Sequence, residues 1–138
     1  TLPIGIADTK REGNDVTIVS FGKIIKVAYA AAESLTKEGI ECEIIDLRTI
    51  RPMDYEAIFS SVKKTNRLVI LEESWPFGNI STEITYQVQS KIFDYLDAPV
   101  EKINTADTPA PYSPVLLAEW LPNTDDVIKA VKQVMYKT

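Results

Sequence analysis

Val16-Thr17-Ile18-Val19-Ser20-Phe21-Gly22 is a β-branched run of strand length closed by a glycine. Branched side chains favour extended backbone, and the glycine ends the run. Ile24, Ile25, Val27, Ala28, Ala31, Ala32 and Leu35 follow at i, i+1, i+3, i+4, i+7, i+8 and i+11, which is one wide apolar face of a helix. Gly39 stands where a helix C-terminus takes a left-handed residue. Cys42-Glu43-Ile44-Ile45-Asp46-Leu47 then reads as a second strand. Strand, helix and strand in this order make a βαβ unit, whose strands lie parallel and whose crossover is right-handed.

The same alternation continues outward. Upstream, Ile6 to Glu12 reads as a weaker strand, and Gly13-Asn14-Asp15 is a turn signal. Together with Val16 to Phe21 this predicts a hairpin feeding a central strand. Downstream, Arg48 to Met53 is a connection, with Pro52 disfavouring helix at Arg51. Asp54 caps a helix through about Lys64, with Ile58, Phe59 and Val62 inward. Arg67 to Leu71 is a third strand running into Glu72-Glu73, and Ser74-Trp75-Pro76-Phe77-Gly78 is an aromatic loop. Asn79 or Ser81 caps a helix carrying Ile80, Ile84, Val88 and Ile92, and Pro99 to Asn104 is a weaker last strand. Residues Ala106 to Pro122 hold four of the eight prolines and lack a period, as functional or partner-ordered segments do. A final helix starts near Asn123 or Thr124 with Val127, Ile128, Val131, Val134 and Met135 as its stripe. Alternating strands and helices predict an α/β fold: a parallel or mostly parallel sheet with helices on both faces.

Length and composition bound the chemistry. A chain of 138 residues is one domain, and 45% apolar with 25% charged residues is ordinary for a globular protein. There is no histidine, so no Ser-His-Asp triad, Cys-His dyad or histidine metal site lies within the chain. A single cysteine, Cys42, excludes a disulfide scaffold, and its apolar neighbours predict a buried, inert thiol. A reducing, intracellular compartment fits. A net charge of −5 argues against a dedicated nucleic-acid or anionic-membrane surface. No apolar run approaches the roughly 20 residues of a membrane span. The start at Thr1, without methionine or signal-peptide pattern, reads as that of a fragment or processed chain.

Four places merit weighing as sites. The Ser20-Phe21-Gly22-Lys23 turn holds one glycine, short of any phosphate-binding motif, and reads as a plain strand-to-helix turn. Glu72 and Glu73 end a strand where open α/β sheets bind ligands, but neighbours on a strand point to opposite faces. Their expected role is structural, one of them capping or pairing with Arg48 or Arg51. Those two arginines suit a carboxylate ligand or an interdomain salt bridge, with an internal ion pair the favoured reading. Trp75 and Phe77 form a possible interface loop: they either anchor a partner or fold back onto the core, and both readings stand open.

A resemblance goes further. Glu43-Ile44-Ile45-Asp46-Leu47-Arg48-Thr49-Ile50-Arg51-Pro52-Met53-Asp54, then Val62 to Val69, Glu72 to Glu83, Tyr95 to Val100, and Ala106-Asp107-Thr108-Pro109-Ala110-Pro111-Tyr112 occur in one order. In that order they resemble the C-terminal, transketolase C-terminal-like domain of the pyruvate dehydrogenase beta-subunit family. Single motifs are shared with branched-chain 2-oxoacid dehydrogenases and, more loosely, with transketolases. The loop from Trp75 to Ser81 is less glycine-rich than in relatives.

The resemblance implies a three-layer α/β/α fold whose five-stranded, mostly parallel sheet has one antiparallel edge strand, supplied by the hairpin. It implies that residues 1–138 are one domain of a longer beta subunit, in an enzyme that decarboxylates pyruvate and transfers acetyl to lipoyl groups. Thiamine diphosphate would lie between the alpha subunit and the beta subunit's N-terminal domain, outside this chain. No catalytic, cofactor-binding or metal residue is then expected here, and the isolated domain would be inactive. The implied partners are the alpha subunit, a second beta subunit, and the peripheral subunit-binding domain of dihydrolipoyl acetyltransferase. Docking of the last would use an acidic patch with Asp97 and the chain end, Tyr136, Lys137 and Thr138. The implied location is a bacterial cytoplasm or the mitochondrial matrix. The alternatives are a stand-alone α/β binding module, which is a different class, or the C-terminal domain of another thiamine-diphosphate enzyme, a branched-chain 2-oxoacid dehydrogenase or a transketolase.

Overall fold

A computed structural model describes residues 1–138. Its centre is β2 (Val16–Ser20), a strand buried along its whole length. The chain leaves β2 through α1 (Ile25–Thr36) to β3 (Cys42–Asp46), and β3 lies parallel to β2. It then returns through α2 (Tyr55–Thr65) to β4 (Leu68–Leu71), parallel to β2 on the other side. From there α3 (Ile80–Ile92) and a 3₁₀ turn (Phe93–Tyr95) lead to β5 (Glu101–Ile103), parallel to β4. The chain ends with the short α4 (Pro114–Trp120) and α5 (Thr124–Val134).

Residue alternation along the strands divides the core into two layers. Val16, Ile18, Ile44, Val69 and Leu71 face α1 and α5. Val19, Ile45, Leu68 and Ile70 face α2 and α3. Each wholly buried aliphatic side chain contributes roughly 1.5–3 kcal/mol. Helices on both faces follow because strands buried on both sides need two covers.

The helix ends follow local chemistry. α1 closes with Gly39 at φ +79°: its N–H donates to Thr36 O at 3.0 Å, and that of Ile40 to Leu35 O at 3.0 Å. This is the paired bonding of a Schellman end. Asp54 Oδ1 accepts from Ala57 N at 3.1 Å and starts α2. Asn79, rather than Ser81, accepts from the first turn of α3. Asn123 and Asp126 form a reciprocal capping box on α5.

The expected hairpin is corrected. β1 (Asp8–Arg11) is the antiparallel edge strand, but it pairs with β3 and lies two strands from β2. Gly13-Asn14-Asp15 does not turn back on itself; it carries the chain across the start of β3. There a side chain on Gly13 would stand 2.3 Å from Cys42 C and 2.5 Å from Glu43 N. Asp15 Oδ2 accepts from Glu41 N at 2.7 Å and completes the crossing. The aperiodic stretch 106–122 is not irregular throughout: α4 is helical over seven of its residues. None of them is buried, so no apolar stripe announces the helix.

Candidate interaction site

The C-terminal edge of the sheet is where an α/β fold offers a ligand crevice. Here it is stitched shut. Ser20 Oγ donates to Leu71 O at 2.9 Å, so the Ser20–Lys23 turn ties β2 to β4. Glu72 is wholly buried. Its carboxylate accepts from Ser81 N at 3.0 Å, Ser81 Oγ at 3.3 Å and Asn104 Nδ2 at 3.0 Å. Burial raises its pKa, and the bonds from Ser81 and Asn104 offset only part of that. Of the two expected roles, pairing with Arg48 or Arg51 is corrected, since no other charge reaches it in a salt bridge. Capping is the one it has: it accepts from Ser81 N in the first turn of α3 and holds that turn against the end of β5. Glu73 points to solvent.

Arg48 sits at φ 57° and binds Asp8 Oδ2 at 2.5 Å, an ion pair internal to the chain. Arg51 is exposed and borders an open hollow of about 580 Å³ with Met53, Tyr55, Ile80 and Glu83. No three His, Cys, Asp or Glu side chains converge as metal ligands. Cys42 is buried, and that burial pushes its thiol up to about 12. At the opposite end of the sheet, Glu43 is buried beside Lys64. Burial alone would raise Glu43, but hydrogen bonds from Lys64, Ser61 and the Gly13 N–H hold it low.

Two surfaces remain. In the first, Trp75 is half exposed and its indole N–H donates to Thr108 O at 2.8 Å. Phe77 is 89% exposed and does not fold onto the core. Trp120, which no motif singles out, donates to the same Thr108 O at 2.8 Å. No sequence signal marks that meeting, because the acceptor is a backbone carbonyl.

The second surface lies at the N-terminal ends of β4 and β5. Asp97 N donates to Asn66 O at 2.8 Å, and the Tyr136 hydroxyl donates to Asp97 O at 3.3 Å. Arg67 stands 3.7 Å from Asp97 Oδ2 and donates through Nε to Val134 O at 3.1 Å. Asp97 and Tyr136 thus share a groove of about 400 Å³, walled by Phe93, Leu96, Pro99 and Val100. Lys137 and Thr138 do not enter it. They border a separate hollow with Asp125, Lys129 and Lys132. The expected acidic patch is a mixed surface, since Arg67 flanks Asp97 and Lys63 lies over the Tyr95 ring at 5.4 Å. Phe93 falls off the Ile80-Ile84-Val88-Ile92 stripe, whereas Tyr95 keeps its spacing and is exposed because the α-helix gives way to the 3₁₀ turn at Phe93.

Comparison with known proteins places this arrangement. The family model described as transketolase, C-terminal domain, matches residues 5–127. The chain belongs to that family. Three curated relatives of this transketolase C-terminal domain match along nearly its whole length. The pyruvate dehydrogenase E1 component subunit beta-2, mitochondrial, of Oryza sativa subsp. japonica is 49% identical over 99% of the chain and 36% of its own length. The pyruvate dehydrogenase E1 component subunit beta of Rickettsia conorii is 49% identical over 98% of the chain and 41% of its own. The acetoin:2,6-dichlorophenolindophenol oxidoreductase subunit beta of Bacillus subtilis is 45% identical over 98% of the chain and 40% of its own. The domain therefore spans well under half of these relatives. Among solved structures, a split gene transketolase described as an inactive beta4 tetramer superposes with a TM-score of 0.83 at 28% identity, covering 99% of this chain and 44% of that one. A 2-oxoglutarate:ferredoxin oxidoreductase of Magnetococcus marinus, with a TM-score of 0.61 at 12% identity over 94% of this chain and 19% of that one, shares the fold alone. No helix of the transketolase C-terminal domain is long and apolar enough to cross a membrane.

Proposed function

We propose that this domain is the assembly and docking part of a pyruvate dehydrogenase beta subunit. The observation that carries the reading is 49% identity, along nearly the whole chain, to such subunits from a plant and a bacterium. The parent enzyme oxidatively decarboxylates pyruvate and passes the acetyl group to a lipoyl arm. A bacterial cytoplasm or the mitochondrial matrix is its place.

Thiamine diphosphate supplies the carbanion chemistry of such an enzyme when bound. The residues of this chain do not fit that cofactor. The Ser20 hydroxyl is engaged by Leu71 O, Glu72 is sealed under Ser81 and Asn104, and no acidic group is gathered for a metal ion. No step of the reaction is assigned to this chain, and the isolated domain is inactive in this reading.

Its work is contact. Asp97, Tyr136 and the chain end at Lys137 and Thr138 meet the basic peripheral subunit-binding domain of dihydrolipoyl acetyltransferase. The Trp75–Phe77 loop faces the alpha subunit or the second beta subunit. The Asp97 side chain is 57% exposed, so its attraction to a cationic partner is screened. Reversal by Asp97→Lys is expected to weaken docking about fivefold, the equivalent of ~1 kcal/mol for one exposed pair. Titration calorimetry against the subunit-binding domain measures this, with thermal melting to show an intact fold. Unchanged affinity removes Asp97 from the docking surface. Carbon dioxide release from pyruvate and thiamine diphosphate by the 138 residues alone would overturn the division of labour.

The acetoin enzyme's beta subunit, at 45% identity, favours a second substrate reading. Reconstitution with an alpha subunit and a complete beta subunit, assayed on pyruvate and acetoin in parallel, separates the two.

A further inference from the structure

Resting on the reading that the Trp75–Phe77 loop faces another subunit of the enzyme, we propose that the tryptophan-clipped surface beyond the C-terminal ends of β4 and β5 is a docking platform for a cationic, amphipathic segment of that subunit. The platform is built. Both indole N–H groups, from Trp75 and Trp120, donate to the Thr108 carbonyl at 2.8 Å each. A carbonyl oxygen has two lone pairs, so this one acceptor pins the Trp75 loop and α4 together. Such prior fixing lowers the ordering cost of a later association. Beside Trp120, between α4 and the 106–111 segment, lies a hollow of about 300 Å³ lined by Pro109, Pro111 and Leu116.

Apolar side chains of the two clipped segments are uncovered. Phe77 is 89% exposed, Val115 70% and Leu116 54%. α4 buries no residue, so its packing against the domain does not explain its apolar side chains. Grouped exposed aromatic and aliphatic side chains of this kind mark contact surfaces.

Charge selects the partner. The chain has no Lys or Arg from residue 68 to 90 and none from 103 to 128, the stretches that carry the platform. Glu73, Asp107 and Glu119 lie there, all exposed. The nearest cation in sequence, Lys102, is engaged by Pro76 O and Thr82 Oγ1. Segments that carry exposed apolar and acidic side chains and no base of their own attract a partner segment with Lys or Arg beside apolar anchors. The platform is separate from the Asp97 groove. Thr105 N bonds to Ser74 O beyond the C-terminal ends of β4 and β5, whereas Asp97 N bonds to Asn66 O before β4 begins.

Trp75 and Trp120 are the only tryptophans, so intrinsic emission reports on the platform alone. The probe is a short amphipathic peptide of Leu and Lys at helical spacing, titrated against the whole chain, with a Leu–Glu peptide of the same spacing as its counterpart. A saturable blue shift with the Leu–Lys peptide and none with the Leu–Glu peptide is expected. The double reversal Glu73→Lys, Glu119→Lys is expected to weaken binding about tenfold, since two charge pairs are lost. The equally charge-changing pair Glu33→Lys, Glu56→Lys, on exposed positions of α1 and α2, should stay within about twofold. Phe77→Ser should also weaken binding about tenfold, as loss of an apolar anchor does. Circular dichroism confirms that each variant folds. Equal losses in the two reversal pairs, equal binding of both peptides, or an emission that does not respond overturns the proposal.

Discussion

Gly13→Ala tests the crossing that sets the strand order. An added Cβ would stand 2.3 Å from Cys42 C, 2.5 Å from Glu43 N and 2.6 Å from Cys42 O. Ordinary contact begins near 3.4 Å, so the loop or β3 must move by about 1 Å. β3 cannot yield easily, because it is paired on both sides, to β1 and to β2. The loop must then lift. That weakens the Gly13 N–H bond to Glu43 Oε2 at 3.3 Å and the mutual bonds of Asp15 and Glu41 at 3.0 and 2.7 Å. Overpacking of about 1–3 kcal/mol, together with hydrogen bonds worth about 1 kcal/mol each, gives a loss on the order of 3 kcal/mol. For a domain of this size the melting temperature should fall by about 10 °C. Urea unfolding followed by circular dichroism measures the loss directly. Gly39→Ala is the companion variant: there nothing lies within 4 Å, and only the φ of +79° is strained. It should cost about 1–2 kcal/mol. A Gly13→Ala variant within about 0.5 kcal/mol of the parent would show that the crossing is not tight.

Glu72→Gln should change the pH dependence of stability. Burial raises the folded pKa of Glu72 above its ordinary 4.5, so its contribution is present below that value and lost as pH rises through the folded one. Parent stability relative to the Gln variant should therefore fall as pH rises above the ordinary 4.5, and a flat difference in urea midpoints would refute the burial argument. The Cys42 thiol, raised to about 12 by burial, should ignore a thiol reagent at pH 8 and react at once in denaturant; rapid labelling of the native chain would contradict its placement. Asn123→Ala removes one half of the capping box on α5 and should cost about 1 kcal/mol by urea unfolding, whereas no loss would mean that water replaces the cap.

Much of the fold was open to reading because its causes are local. The helical stripes of α1 and α5, the β-branched runs of β2 and β3, and the caps at Asp54 and Asn123 each depend on residues within a few positions of one another. The alternation of strands and helices then implied a mostly parallel sheet with two covered faces, and the structure has it. The partner of β1 was not legible in this way. Its pairing depends on whether Gly13 turns the chain back or carries it over β3, and only the backbone of Cys42 and Glu43, some thirty residues on, decides that.

The candidate sites divide along the same line. Glu72 looked available to Arg48 or Arg51, yet Arg48 bonds Asp8, and Glu72 bonds Ser81 and Asn104 from two different elements. The Trp75–Thr108–Trp120 clip uses a backbone carbonyl, which residue identity does not mark. Asp97 and Tyr136, 39 positions apart, meet only because α5 folds back beside β5. The residues alone determined which segments become strands and helices, and that the chain lacks a histidine for acid-base work. Which side chains share a surface was decided by tertiary structure, because it depends on hydrogen bonds and packing between segments that no local pattern relates.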